Sequence, residues 1–222
     1  MISIIIPCLN EEEKILKLLE NLHELQGDKE ILFIDGGSMD NTLTLLSDER
    51  VIRSDRGRGL QLNTGARHAR GETLLFLHAD SRVERDLLIK INKEVEKGAV
   101  YGCLSIHFDK KSFLMLTNAF FSTLRARLGR TPFGDQGIFI SRDLFFKMGC
   151  FPEIPIMEDY SFTRRLKRRR VPLTFIKSPI LSSARRYKGK TLKTMATMFY
   201  LRHLYRRGVS PEIIKDYYQD IR

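Results

Sequence analysis

The sequence predicts an α/β fold, a mostly parallel central sheet with helices on both faces. Three observations carry this expectation. Short β-branched or apolar runs alternate with helical patterns in the order β-α-β-α-β-α-β up to Asp80, which lays parallel strands side by side beneath crossover helices. The run Leu74-Leu75-Phe76-Leu77 is wholly apolar and ends on His78-Ala79-Asp80, so it reads as a buried strand with polar chemistry at its exit. Ligands of open α/β sheets gather at such carboxyl ends. Of the 222 residues, 42% are hydrophobic and 29% charged, which suits a packed core in one domain.

Ile2–Ile6 is β-branched and apolar, a first strand whose ladder Pro7 is expected to end. A helix follows from Asn10 to about Leu25. Asn10 can cap it, Glu11–Glu13 suit its positive end, and Ile15, Leu18, Leu19 and Leu22 form its core face. Glu30–Ile34 is the second strand, with Asp35-Gly36-Gly37-Ser38 as its exit loop. Asp40-Asn41-Thr42 opens a short helix, and Val51–Arg53 is a third strand. Gly57, Gly59 and Gly65 punctuate an Arg-rich connection in which Leu60–Ala69 reads as a helix. After the Leu74 strand comes a helix over Ser81–Val95, which Asp80 either caps or precedes as a ligand. His78 and Asp80, two residues apart, share one side of the chain if it is extended.

The second half is less regular. Val100–Phe108 reads as a strand. Ser112–Leu128 reads as a helix with Phe113, Leu116, Phe120 and Leu124 on one stripe. Arg130–Gly134 is a loop, Gly137–Ser141 a strand and Arg142–Met148 a helix. Gly149–Met157, with Pro152 and Pro155, is a loop, and Glu158–Arg168 is helical. Val171–Ile176 and Ile180–Ala184 are strand candidates around Pro179. Leu192–Arg206 and Pro211–Tyr218 are helices. No linker, repeat or low-complexity stretch interrupts this order.

Composition excludes several classes. Cys8, Cys103 and Cys150 show no C-x-x-C spacing, which points to a reduced cytoplasmic protein without structural zinc. The start M-I-S-I-I-I-P-C reads as a strand, not a signal peptide. No run of about 18 apolar residues is present to span a bilayer. The net charge of +11 is uneven: between Tyr160 and Pro211 there are 15 Lys or Arg and no Asp or Glu, and the rest of the chain holds 23 basic against 27 acidic residues. Such a segment faces nucleic acid, an anionic membrane surface or a phosphorylated substrate, or is simply solvated. Its helix Leu192–Arg206 is basic and broadly apolar on one side, so it either lies in a membrane interface or packs on the sheet.

Four motifs together resemble family 2 glycosyltransferases of the GT-A fold, over nearly the whole chain. I-I-I-P-C-L-N-E-E is similar to that family's first strand and nucleotide loop. F-I-D-G-G-S-M-D-N-T resembles its second-strand motif, with Gly36 where a second Asp is usual. G-A-R-H-A-R-G-E-T-L-L-F-L-H-A-D resembles the run into the metal-binding D-x-D. G-D-Q-G followed by M-E-D-Y resembles the acceptor-side loop and the acid pair that carries the base. The likeness is closest to a small soluble bacterial subgroup with H-A-D in place of D-x-D.

The resemblance implies one GT-A domain, with residues 1–100 a nucleotide-binding half and 101–222 an acceptor-side half. It implies inverting transfer from a nucleoside diphosphate sugar, with a UDP-sugar the expected donor, to a hydroxyl of a small or lipid-like acceptor. Pro7, Leu9, Asn10, Glu11 and Asp35 fall at the base and ribose. Arg58 and Arg67 either reach phosphate as guanidinium forks or are solvated. Asp80 is the expected ligand of Mg²⁺ or Mn²⁺, acting on the leaving diphosphate. His78 either ligates, where imidazole suits Mn²⁺ better, or only hydrogen-bonds. Asp159 is the expected general base, with Glu158 orienting the site. Asp135 and Gln136 are candidates to bind the donor sugar or acceptor, and Arg185 and Arg186 the diphosphate.

Two other readings remain. A nucleotidyltransferase shares the nucleotide and metal needs, but its usual Gly-rich basic loop after the first strand is replaced here by P-C-L-N-E-E. A nucleic-acid-binding module could use the basic segment, but zinc-finger, RNP and G-x-x-G signatures are absent, and nucleic acid is not expected as a partner. The acidic strand exits would repel its phosphates.

Overall fold

Ile2, Ile4 and Ile6 point to one side of their strand and Ser3 and Ile5 to the other, and all five are buried. A strand enclosed on both faces needs helices on both. In the computed structural model, which describes residues 1–109, 112–182 and 191–219, the first half alternates as expected. Its elements are β1 (Ile2–Cys8), α1 (Glu12–His23), β2 (Lys29–Asp35), α2 (Thr42–Leu45), β3 (Val51–Arg53), α3 (Arg58–His68) and β4 (Thr73–Phe76). Ile15, Leu18 and Leu22 of α1 join Ile2, Ile4 and Ile6 in one core layer, while Leu62 and Ala66 of α3 join Ile5 in the other. Gly65 lets α3 approach closely, since a Cβ there would overlap Ile5 Cγ2.

The remaining elements are β5 (Arg82–Val83), α4 (Leu87–Glu96), β6 (Tyr101–Phe108), α5 (Phe113–Gly129), β7 (Ile138–Ser141), α6 (Arg142–Lys147), α7 (Glu158–Arg168), β8 (Thr174–Ser182), α8 (Thr191–Arg206) and α9 (Pro211–Gln219). Among the described residues the strands form one eight-stranded sheet in the order β3-β2-β1-β4-β7-β6-β8-β5. The pairs β1–β2, β1–β4, β2–β3 and β6–β8 are parallel, and β4–β7, β6–β7 and β5–β8 antiparallel. The sheet is therefore mixed but largely parallel. The strand order reverses at β1, between β2 and β4, which opens the crevice where α/β folds take ligands.

Five local expectations change. Pro7 does not end β1: it pairs with Ile34, and Cys8 with Asp35. Pro7 faces the same side as Ile5, whose carbonyl accepts from Leu77 N–H at 3.1 Å; β4 has ended there, so the missing N–H removes no ladder bond. Asn10 does not cap α1; it adopts a left-handed φ of 54°, and its Oδ1 accepts Met39 N–H at 2.9 Å. Ser81–Val95 is not one helix, because the buried Asn21 side chain bonds both Val83 N–H and Val83 O, at 2.8 and 2.9 Å, holding β5 extended. The two candidate strands around Pro179 are one strand, β8, whose register slips between Leu104 and Ser105 of its neighbour, a bulge that absorbs the proline. The Phe113, Leu116 and Phe120 stripe of α5 faces outward; Met115 and Ala126 are its buried residues.

Candidate active site

Strand register assembles the site. Phe76 of β4 pairs antiparallel with Ile138 of β7, so the residues leaving β4 meet those entering β7. The first are Leu77–Asp80. The second form a short 3-10 turn, Gly134–Gln136. Gly134 N–H donates to Asp159 Oδ2 at 2.7 Å. A Cβ on Gly134 would stand 2.9 Å from His78 Nε2 and 3.2 Å from Asp159 Oδ2. His78, Gly134 and Asp159 thus converge at the carboxyl end of β4. The chain leaves that strand as a turn, with Ser81 N–H donating to His78 O at 3.1 Å. His78 and Asp80 are therefore not the extended pair that their spacing suggested.

Glu158 and Asp159 form the first turn of α7, where the helix dipole favours acids. Met157, just before them, is held at a left-handed φ of 68°, an uncommon conformation for a residue other than glycine. Asp159 Oδ1 accepts Tyr160 N–H at 2.6 Å. The two acids differ in access: the Asp159 side chain is 11% exposed and that of Glu158 1%. Arg58, at the start of α3, donates its Nε to Glu158 and holds Nη2 3.7 Å from Asp159 Oδ2. Burial pushes the Glu158 carboxyl above its ordinary range, against the pull of Arg58. Desolvation opposes the Arg58 charge, but Glu158 and Asp159 outweigh it and raise Arg58 above its ordinary value. Arg58 is thus directed at the acid pair. Gly59 permits the approach, since a Cβ there would meet Pro152 O at 2.6 Å and Glu158 Cβ at 3.5 Å.

The exits of β1 and β2 form a second group. Asn10 N–H donates to Ser38 Oγ, Glu11 N–H to Thr42 Oγ1, and Glu12 N–H to Asp40 Oδ2, at 2.8–3.1 Å. Pro7 and Leu9 lead into this seam. It walls a cleft of about 450 Å³ lined by Asn10, Glu11, Glu12, Lys14, Met39 and Asp40 among others. Asp35 is buried, and its carboxylate accepts Gly37 N–H at 3.0 Å and Ser38 N–H at 3.1 Å, so it shapes its own loop. Lys14 Nζ lies 3.5 Å from Glu11 Oε2 and 3.9 Å from Asp80 Oδ2, linking this seam to the β4 exit.

Sequence reasoning missed two residues here. Gln61 Nε2 donates to Cys8 O at 2.9 Å and to Ile34 O at 2.8 Å, clamping the ends of β1 and β2. A Cβ on Gly36 would lie 2.9 Å from Gln61 Nε2, so the amide fills the space beside the position where the second Asp is usual. The only signal was the departure at Gly36. Arg125 is the other: its Nη2 donates to Gln136 Oε1 at 3.0 Å, and its guanidinium lies 3.8 Å over the Phe133 ring. Burial lowers Arg125 to about 10, with Asp135 acting to raise it. Gln136 is fully buried and also accepts Phe133 N–H at 3.2 Å, so it holds the turn from behind. Asp135 is half-buried.

Arg67 is not brought into either group. It bonds Thr64 Oγ1 at 3.0 Å, lies about 14 Å along α3 from Arg58, and lines a separate cleft with Arg53 and Asp55. Arg185 and Arg186 lie outside the described residues. Among the described residues no three His, Cys, Asp or Glu side chains form an all-protein metal cage. Asp80 nevertheless suits a cation held by one carboxylate plus substrate phosphates, the common arrangement for Mg²⁺: its side chain is partly exposed and its nearest cationic neighbour, Lys14, stands beyond hydrogen-bond reach.

The profile described as Glycosyl transferase family 2 matches residues 3–152, from β1 to the loop before α7. The chain belongs to that family. Among relatives of this family 2 chain, an uncharacterized glycosyltransferase of Haemophilus influenzae is 26% identical over 181 residues, covering 75% of this chain and 62% of that protein. The structure of Staphylococcus aureus TarS residues 1–349 with UDP superimposes with a TM-score of 0.67 at 19% identity, over 82% of this chain and 60% of that one. The mannosyltransferase PcManGT of Pyrobaculum calidifontis, with GDP-Man and Mn²⁺, gives 0.67 at 18% identity, over 93% and 63%. These likenesses show the GT-A fold. The family 2 chain spans about three fifths of the length of each.

Proposed function

We propose that the chain moves a sugar from a nucleoside diphosphate sugar, a UDP-sugar first among donors, to a hydroxyl of a small or lipid-like acceptor, with inversion. One observation carries the reading: the Asp159 carboxylate, the less enclosed of the α7 acid pair, converges with His78 at the carboxyl end of β4, beside the loop that holds Asp80. The neighbours support the donor class, since TarS binds UDP and UDP-GlcNAc, and PcManGT binds GDP-Man with Mn²⁺.

In this reading Pro7, Leu9, Asn10, Glu11 and Asp35 take the base and ribose along the β1–β2 seam. Asp80 holds Mg²⁺ or Mn²⁺, which when bound supplies Lewis acidity to the departing diphosphate. Lys14 adds positive charge beside it. Asp159 accepts the acceptor hydroxyl's proton as the new C–O bond forms and the bond to the diphosphate breaks. Glu158 is too enclosed for that task and positions Arg58 instead. Asp135 faces the sugar or acceptor, while Gln136 and Arg125 hold the Gly134 turn. One base and in-line attack invert the anomeric carbon.

The same reading assigns residues 1–100 to the donor and 101–222 to the acceptor, and takes His78-Ala79-Asp80 as a variant of the D-x-D metal motif. It places the chain on the cytoplasmic side, peripheral to an anionic membrane. The test is the anomer first released when water replaces the acceptor. With a UDP-α-sugar and Mn²⁺, proton NMR shows the β-anomer first; the α-anomer first would overturn inversion.

A further inference from the structure

We infer that α5 and α8 together form one membrane-docking face, with the outer stripe of α5 seated among acyl chains and the surrounding cations on anionic headgroups. It deepens the peripheral membrane placement of the transfer reading and does not depend on the transfer chemistry. Phe113, Leu116, Phe120, Phe121 and Leu128 are 58–82% exposed. Helical spacing puts them on one side of α5, a stripe about 25 Å long, while Met115 and Ala126 face inward. On α8, Leu201 is buried with Tyr160 and Met157, and Met198, Leu204 and Tyr205 pack against them. Leu192, Phe199 and Tyr200 stay outside. One side of α8 thus packs inward and the other is exposed. Exposed apolar area on this scale marks an interaction surface.

The two helices meet over Phe133: Arg125 of α5 lies 3.8 Å from its ring and Arg202 of α8 5.6 Å, with Arg202 also 5.5 Å from Phe199. Charge selects the occupant. Residues 110–134 and 161–210 contain no acid, and carry 5 and 15 Lys or Arg. Arg127, Arg130, Lys193, Arg206 and Arg207 are exposed around the stripes. A second copy would set cations against cations, whereas an anionic leaflet complements both the charge and the apolar stripe. The inner side of α8 also contacts α7, the helix that carries the candidate base. Arg206 Nε donates to Tyr160 Oη at 2.6 Å, and Tyr160 follows Asp159.

The test is flotation of the full chain with phosphatidylcholine vesicles, with and without phosphatidylglycerol, at low and high salt. Wild type floats only with the anionic vesicles, and less at high salt. The triple change Phe113→Ser, Phe120→Ser and Leu128→Ser, and separately Arg127→Glu with Lys193→Glu, each lose at least tenfold in bound fraction. Both variants keep the wild-type melting temperature and donor-induced stabilisation, which separates failure of docking from failure of the transferase reading. Wild type at the bottom of every gradient, or serine variants that float as well as wild type, would overturn the inference. So would a concentration-dependent dimer by light scattering that the serine changes abolish, since a second copy would then cover the face.

Discussion

In Asp159→Asn one backbone N–H loses its acceptor. The carboxylate takes Gly134 N–H on Oδ2 at 2.7 Å and Tyr160 N–H on Oδ1 at 2.6 Å. An amide presents one oxygen, so its NH₂ must face one of these donors. Leaving a buried donor unsatisfied costs about 1–3 kcal/mol. At about 2–4 °C per kcal/mol for a chain of this size, the melting temperature falls by about 2–12 °C. Loss of the proton acceptor lowers turnover by about 10²–10⁴, or about 3–5 kcal/mol in the barrier. The two effects are separated by measuring kcat at saturating donor well below both melting temperatures, together with donor Kd by titration. Donor affinity stays near wild type, because the β1–β2 seam is untouched. A folded variant with kcat within about tenfold of wild type would refute the base assignment, and loss of donor binding instead would make Asp159 a ligand contact.

Three further outcomes follow from the same geometry. Glu158→Gln removes the buried partner of Arg58; a fully enclosed broken pair costs about 3–5 kcal/mol, and with Arg58 at 38% exposure the denaturation midpoint should report about 1–3. A loss under about 0.5 kcal/mol would mean that Glu158 and Arg58 do not form an enclosed pair. Gly134→Ala puts a methyl group 2.9 Å from His78 Nε2, so turnover drops while stability changes little, and unchanged turnover would show that the convergence at β4 is not used. Gly36→Asp collides with Gln61 and destabilises alone, and Gln61→Ala in the same chain recovers part of the loss; a double-mutant cycle with additive effects, not the about 0.5–3 kcal/mol coupling of touching residues, would place Gln61 elsewhere.

The parallel half of the fold was legible because its strands are short continuous apolar runs separated by periodic helices, and local pattern suffices for that. For α1 the pattern also named the core face, Ile15, Leu18, Leu19 and Leu22, but for α5 it did not. Phe113, Leu116 and Phe120 have faultless helical spacing, yet that side of α5 is outermost. Nor did it foresee Asn21, whose side chain reaches across the sequence to hold Val83 extended. Asp80, Glu158 and Asp159 were visible as motif positions. For Arg58 the sequence leaves phosphate contact and solvation both open, because its partner Glu158 lies 100 residues away and nothing local announces it. Gln61 was invisible for the same reason: it bonds two carbonyls on strands that only the fold brings beside it.

The most direct test of the central claim is a melting series on wild type and Asp80→Ala, with UDP-, GDP- and dTDP-sugars, with and without Mn²⁺. The account predicts that one donor with Mn²⁺ raises the wild-type melting temperature more than either alone, with about 2.7 kcal/mol of stabilisation at a hundredfold excess over Kd. Asp80→Ala should melt like wild type without ligands and lose the Mn²⁺-dependent increment. If no donor stabilises wild type, or if Asp80→Ala keeps the whole increment, the assignment of donor and metal to the carboxyl ends of β1 and β4 is wrong.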